Sequence, residues 1–133
     1  MNNPFLPGDI KHFERTVRPE DTAAFESGEV HPVYATFALA RDAEWACRLF
    51  VLEMKEADEE GIGTQITVNH LSPALVGAKV AFKVTVENIE NNKIVCRYKA
   101  LVGNRLIATG TQTQKILKKR KIQQLFEKLK MEQ

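Results

Sequence analysis

With 133 residues, 44% of them hydrophobic and 27% charged, the chain has enough material for one domain with its own core. A net charge of only +2 sets it apart from strongly basic nucleic-acid binders, and no apolar run reaches the roughly 18 residues a transmembrane helix needs. Cys47 and Cys96 belong to no CxxC or Cys/His cluster, so no metal site is expected and a reduced, cytoplasmic chain is.

Residues 1–9 carry Pro4, Pro7 and Gly8 and read as an irregular arm, without the charged start and apolar stretch of a secretion signal. Residues 10–17 place Phe13, Arg15 and Val17 on one parity, which suggests a short strand. A turn follows at 18–22, and residues 23–30 are ambiguous around a break at Gly28.

The rest of the chain is organised around residues 31–60. Here Leu39, Ala43, Ala46, Cys47, Phe50, Met54 and Ala57 recur at helical spacing, which predicts a helix from near Phe37 that ends before Gly61. Trp45, Leu49 and Leu52 widen the apolar surface, so a helix covered on most sides is expected. Glu44 is the polar residue that interrupts it, on the shoulder of the stripe and one turn before Arg48. A carboxylate there must be paired, neutral or used.

Beyond Gly63 the period changes from 3.6 to 2. Ile66, Val68 and His70 share one parity, and residues 72–77 form a loop around Pro73. Val80, Phe82, Val84 and Val86 then alternate with polar residues, as do Ile94, Cys96, Tyr98 and Ala100. Asn91-Asn92 and Gly103-Asn104 are turn signals, and residues 105–114 make a third strand. These three strands predict an antiparallel meander. Residues 115–133 read as an amphipathic helix with a basic face, with Ile122, Leu125, Phe126 and Leu129 at i, i+3, i+4 and i+7. No aromatic platform accompanies those basic residues, so a solvated face is preferred to a nucleic-acid interface. One domain spanning 1–133 is expected, of α+β class, with its core at about 10–117 and the C-terminal helix at about 115–131.

The runs VYATFALARDAEWAC and GTQITVNHLSPALVG resemble the fluoroacetyl-CoA thioesterase family, a group within the hotdog fold. The resemblance implies an antiparallel sheet wrapped around a long central helix, hydrolysis of acyl-CoA thioesters, and a homodimer with the active site near the subunit boundary. It also implies that a hydroxyl residue ahead of the helix, a Glu before a Trp, and a His ending the next strand act together. Here these are Thr36, Glu44 and His70.

The chemistry suits those residue types. A histidine can take a proton from a hydroxyl or water and return it to a leaving thiolate, and a carboxylate can orient the ring. The expected roles are His70 as general base, Glu44 as its partner or the activator of water, and Thr36 as nucleophile or polarising hydroxyl. Backbone N–H groups near Phe37 and Ala38, or at Gly63, are candidates to hold the oxyanion. Tyr34, Phe37 and Leu71 flank these positions and are candidate acyl-pocket residues. Coenzyme A would enter as part of the substrate, with Lys79, Lys83, Arg97 or Lys99 available to its phosphates; no separate cofactor is expected.

Each residue also has an ordinary role: Thr36 as a helix cap, Glu44 in an i,i+4 pair with Arg48, His70 as a strand-end histidine. The family's basic residue late in the last strand falls at Gln114, beside Lys115, which leaves fluoroacyl specificity unsupported and points only to a small or medium acyl group. The competing functions are a hotdog hydratase or dehydratase and a non-catalytic acyl-CoA-binding module.

Overall fold

The computed structural model describes residues 1–132. Three β-branched-rich segments with period-2 alternation form the centre of the sheet: β6 (Lys79–Glu90), β7 (Lys93–Val102) and β8 (Arg105–Lys118). Asn91 adopts φ 55° and Gly103 φ 58°, the left-handed backbone their two-residue turns require. β1 (Ile10–Thr16) adds to β6, and β4 (Glu59–Ile66) adds to the far side of β8, giving the order β1-β6-β7-β8-β4. The two-residue β5 (Asn69–His70) continues beyond β4 along β8. A separate hairpin, β2 (Thr22–Phe25) with β3 (Gly28–Tyr34), occupies the stretch that reads as ambiguous in sequence, with Gly28 at its turn.

The helix α1 (Thr36–Met54) lies against the inner face of this sheet. Leu39, Ala43, Ala46, Cys47, Phe50, Val51 and Met54 are buried, and they meet Val80, Phe82, Val84 and Val86 of β6 and Ile94, Cys96, Tyr98 and Ala100 of β7 in one core. This is the hotdog arrangement, and the helical and period-2 patterns both find their buried faces in it. The helix is not covered all round: Trp45 and Leu52 are each 41% exposed, on a flank the single chain leaves open.

One sequence boundary needs correction. β8 does not stop at Gln114; it pairs with β4 through Leu117 and Lys118, so residues 115–118 are strand and α2 spans only Lys119–Lys130. Helical propensity in that stretch gives way to a ladder partner. None of the residues of α2 is buried, and Leu125 and Phe126 are at least half exposed. Among the described residues, no helix is long and apolar enough to cross a membrane.

Gly110 of β8 marks where the chain crowds itself. A Cβ there would sit 2.0 Å from the Thr67 carbonyl oxygen and 2.5 Å from the Tyr98 hydroxyl, which donates to that same oxygen at 2.7 Å. Main chain cannot step aside cheaply. Gly110→Ala is therefore expected to cost about 2 kcal/mol or more, from overpacking and the lost hydrogen bond, read as a lower denaturant midpoint. An unchanged midpoint would refute the crowding.

Candidate active site

His70 reaches its position through register. β5 pairs Asn69 with Thr109 and His70 with Ala108, a buried residue of the core face. Strand alternation therefore turns His70 inward, toward the start of α1, and Asn69 outward. The loop after β5 is tied down at several points. The Leu71 N–H donates to Ile107 O at 2.7 Å, and the Tyr34 N–H donates to Ala74 O at 2.8 Å. The Arg105 guanidinium donates to the Ser72 hydroxyl and to Pro73 O.

Thr36 arrives from the other side. It is the first residue of α1, and the cap is Ala35, whose N–H donates to Asp21 O at 2.8 Å. Its hydroxyl makes no cap. Instead Thr36 Oγ1 lies 2.9 Å from His70 Nδ1, across 34 positions of sequence. The first amide of the helix to find a carbonyl is Leu39 N–H, bonded to Ala35 O, so the helix start presents unsatisfied donors beside this pair. The His70 ring is partly buried, and burial lowers its pKa below the ordinary histidine value, opposed by a main-chain contact at Ser72. Its Nε2 is buried with no partner among the described residues.

Thr36, His70, Leu71, Ser72 and Pro73 line a shallow, open cleft of about 300 Å³. A larger hollow, about 410 Å³, lies on the opposite face of the sheet and contains none of the candidate catalytic residues. The chemistry points to the smaller cleft.

Glu44 is elsewhere. Its side chain packs on Gly63, where a Cβ would come within 2.5 Å of Glu44 Oε1, and it accepts a hydrogen bond from Gln112 Nε2 at 3.3 Å. Eight residues of helix separate it from Thr36, a rise of about 12 Å along the axis. Within one chain the carboxylate is not among the partners of His70. It does not pair with Arg48 either, which binds Glu60 at 2.9 Å.

Gln112 and Gln114, buried inward-facing residues of β8, support the Glu44 region. Gln114 Nε2 donates to Gln112 Oε1 at 2.9 Å and to the Glu44 main-chain oxygen at 3.3 Å. Their shared parity with Ala108 was the available sequence signal.

Of the candidate acyl-pocket residues, only Leu71 lines the cleft. Phe37 is 51% exposed, its ring edge-on to Phe25 with centroids 5.7 Å apart. Tyr34 is not a pocket residue: it is 1% exposed, and its hydroxyl donates to Asp42 Oδ2 at 2.5 Å. Its strand parity sends it under the helix.

That contact belongs to a buried charge cluster that sequence reading missed. Asp42, not Glu44, is the polar residue α1 buries, at 1% exposure. It accepts from Arg15 Nε at 3.1 Å and Nη2 at 3.0 Å, from Tyr34, and from Arg41. Arg41 also reaches Asp21, which is bound by Arg18. Burial opposes ionisation of Asp42, but the donors outweigh it and its pKa is lowered; Asp21 is held well below the carboxylate range, chiefly by Arg18. The wheel position of Asp42, between Ala38 and Ala46, was the missed signal.

Comparison with known proteins agrees with this architecture. A Thermus thermophilus hypothetical protein, described as a thioesterase superfamily member, is 39% identical, with a TM-score of 0.91 over 97% of this chain and 96% of its own. The fluoroacetyl-CoA thioesterase structure superposes with a TM-score of 0.87 over 95% and 98% of the two chains, at 22% identity. The transcription factor FapR of Bacillus mycoides is 30% identical over 86 residues, covering 62% of this chain; the match spans only 44% of that longer protein. The sequence model of the fluoroacetyl-CoA-specific thioesterase family matches residues 17–120, and the chain belongs to that family.

Proposed function

We propose that the protein hydrolyses acyl-CoA thioesters carrying a small or medium acyl group, at a site completed by two copies of the chain. The observation that carries this reading is the 2.9 Å contact between Thr36 Oγ1 and His70 Nδ1, beside the open amides of a helix start and away from any carboxylate of the same chain. In the competent tautomer His70 accepts the Thr36 proton at Nδ1, and its Nε2–H needs an acceptor. Glu44 of a second copy fits that need once the side chains enclosing Nε2 in the single chain shift to admit it. The proton taken by the imidazole returns to the departing thiolate, leaving the acyl group as an ester on Thr36. Water deprotonated by the same imidazole then attacks that ester, releasing the free acid and returning the proton to Thr36. The Phe37 and Ala38 amides face the oxygen on which charge builds in both steps.

Two-fold association along β4 supports this arrangement. Among the described residues β4 pairs only with β8, which leaves its outer edge open, and Gly63 and the Glu44 carboxylate lie at that edge. Antiparallel pairing of β4 with its copy is self-complementary. It would bring Glu44 of each chain toward the other and cover the open flank of α1.

The test is thiol release over a panel of acyl-CoAs, with His70→Ala and Glu44→Ala chains assayed separately and after mixing by denaturation and refolding. Each single variant is expected to be nearly inactive. The mixture should recover about a quarter of wild-type activity, since half the dimers are mixed and each has one intact site. No recovery would place the residues in one chain. An enoyl-CoA absorbance change without thiol release would instead indicate a hydratase. A raised melting temperature with no turnover would indicate a binding module.

A further inference from the structure

The outward face of the sheet holds a basic hollow that the hydrolytic chemistry does not use. Its three cations come from two neighbouring strands: Lys83 of β6 stands directly across from Lys99 of β7, with Arg97 two residues along. His12 of β1 lies opposite Lys83 in the next register pair, so one row across the sheet reads His12, Lys83, Lys99, Thr109, Asn69. Like charges directly opposed on a sheet are destabilising. No carboxylate lines the hollow, and none of Lys83, Arg97 or Lys99 forms an ion pair among the described residues. Glu14, on the same face of β1 two residues from His12, pairs with none of them.

Neutral donors surround the cations. Thr85, Thr109, Thr111 and Asn69 line the same hollow, whose volume of about 410 Å³ is of the size small-molecule sites occupy. Hydroxyls and an amide around three unpaired cations suit a multiply charged, oxygen-rich anion better than a single carboxylate.

We propose that this hollow binds the phosphates of a nucleotide-like polyanion. Asn69 and His70 are consecutive residues facing opposite sides of the two-residue strand β5, so the hollow and the catalytic cleft stand back to back at the end of the sheet. Two sources share the chemistry. One is the phosphorylated nucleotide of coenzyme A, whose pantetheine arm would round β5 to the cleft; that arm of the proposal rests on the thioesterase reading. The other is a free phosphorylated effector.

The test compares the wild-type chain with a Lys83→Gln/Arg97→Gln/Lys99→Gln variant, whose fold is checked by its melting temperature. Calorimetric titration with inorganic pyrophosphate and with adenosine 3′,5′-bisphosphate needs no catalysis, so it stands even if no acyl-CoA is hydrolysed. Binding to the wild type, weakened tenfold or more in the variant, is the expected result. KM for an acyl-CoA rising more than KM for the matching acyl-pantetheine assigns the site to coenzyme A. Lost pyrophosphate binding with both KM values unmoved assigns it to a separate effector. If neither probe binds the wild type, or both proteins bind alike, the proposal is overturned.

Discussion

His70→Ala is expected to lower kcat for acyl-CoA hydrolysis by about 10²–10⁴-fold, the usual contribution of a positioned proton carrier. The pH dependence separates this from a loss of structure. Because burial lowers the His70 pKa, the acid limb of wild-type kcat/KM should lie below the ordinary histidine value, about pH 6.5, where protonation removes the base. The alanine variant should show residual activity without that limb. Stability carries the opposite sign. A histidine whose folded pKa is depressed binds its proton better in the unfolded chain, so it destabilises the fold as pH falls through the unfolded value. His70→Ala should therefore gain stability relative to wild type as pH falls through the ordinary histidine value toward the lowered folded value. A wild-type acid limb that persists in the variant would remove His70 from the proton transfer.

Asp42→Ala is expected to be the most damaging substitution outside the cleft, costing about 3 kcal/mol. It strands the buried Tyr34 hydroxyl and leaves Arg15 and Arg41 without the carboxylate that gathers them. The guanidiniums are partly exposed, 25% and 49%, so solvent recovers part of the ionic loss. The unpaired hydroxyl has no such relief. For a chain of this length that corresponds to a melting temperature lower by about 10 °C. Asp42→Asn keeps an acceptor for Tyr34 and should cost less. Both carboxylates, Asp42 and Asp21, have depressed pKa values, so their stabilisation is present above about pH 4 and is lost as pH falls through their folded values. A melting temperature within 2 °C of wild type for Asp42→Ala would show the cluster to be dispensable.

The same cluster connects stability to the site. Asp21 O anchors the Ala35 amide, one residue before Thr36, while the Tyr34 amide is held by Ala74 in the loop that follows His70. The two halves of the Thr36–His70 contact are thus fixed to neighbouring main chain rather than to each other alone. Loss of Asp42 should widen that contact before it unfolds the domain.

Periodicity by itself determined the long helix, the three-strand meander and the inward parity of His70, because each of those depends on which side of a local element a residue faces. The grouping of Thr36 with His70 came from the resemblance of two short runs to the thioesterase family, not from periodicity. What periodicity does not encode is which face the rest of the chain will cover. Glu44 and Asp42 are two residues apart on α1, and only the approach of Arg15 from β1 and of Tyr34 from β3 makes Asp42 the buried one. Residues 115–118 have helical composition, yet β4, more than fifty positions earlier, claims them as strand. The separation of Glu44 from His70 is likewise decided in three dimensions: a straight helix keeps its ninth residue about 12 Å along the axis from its first, whatever chemistry their identities suggest.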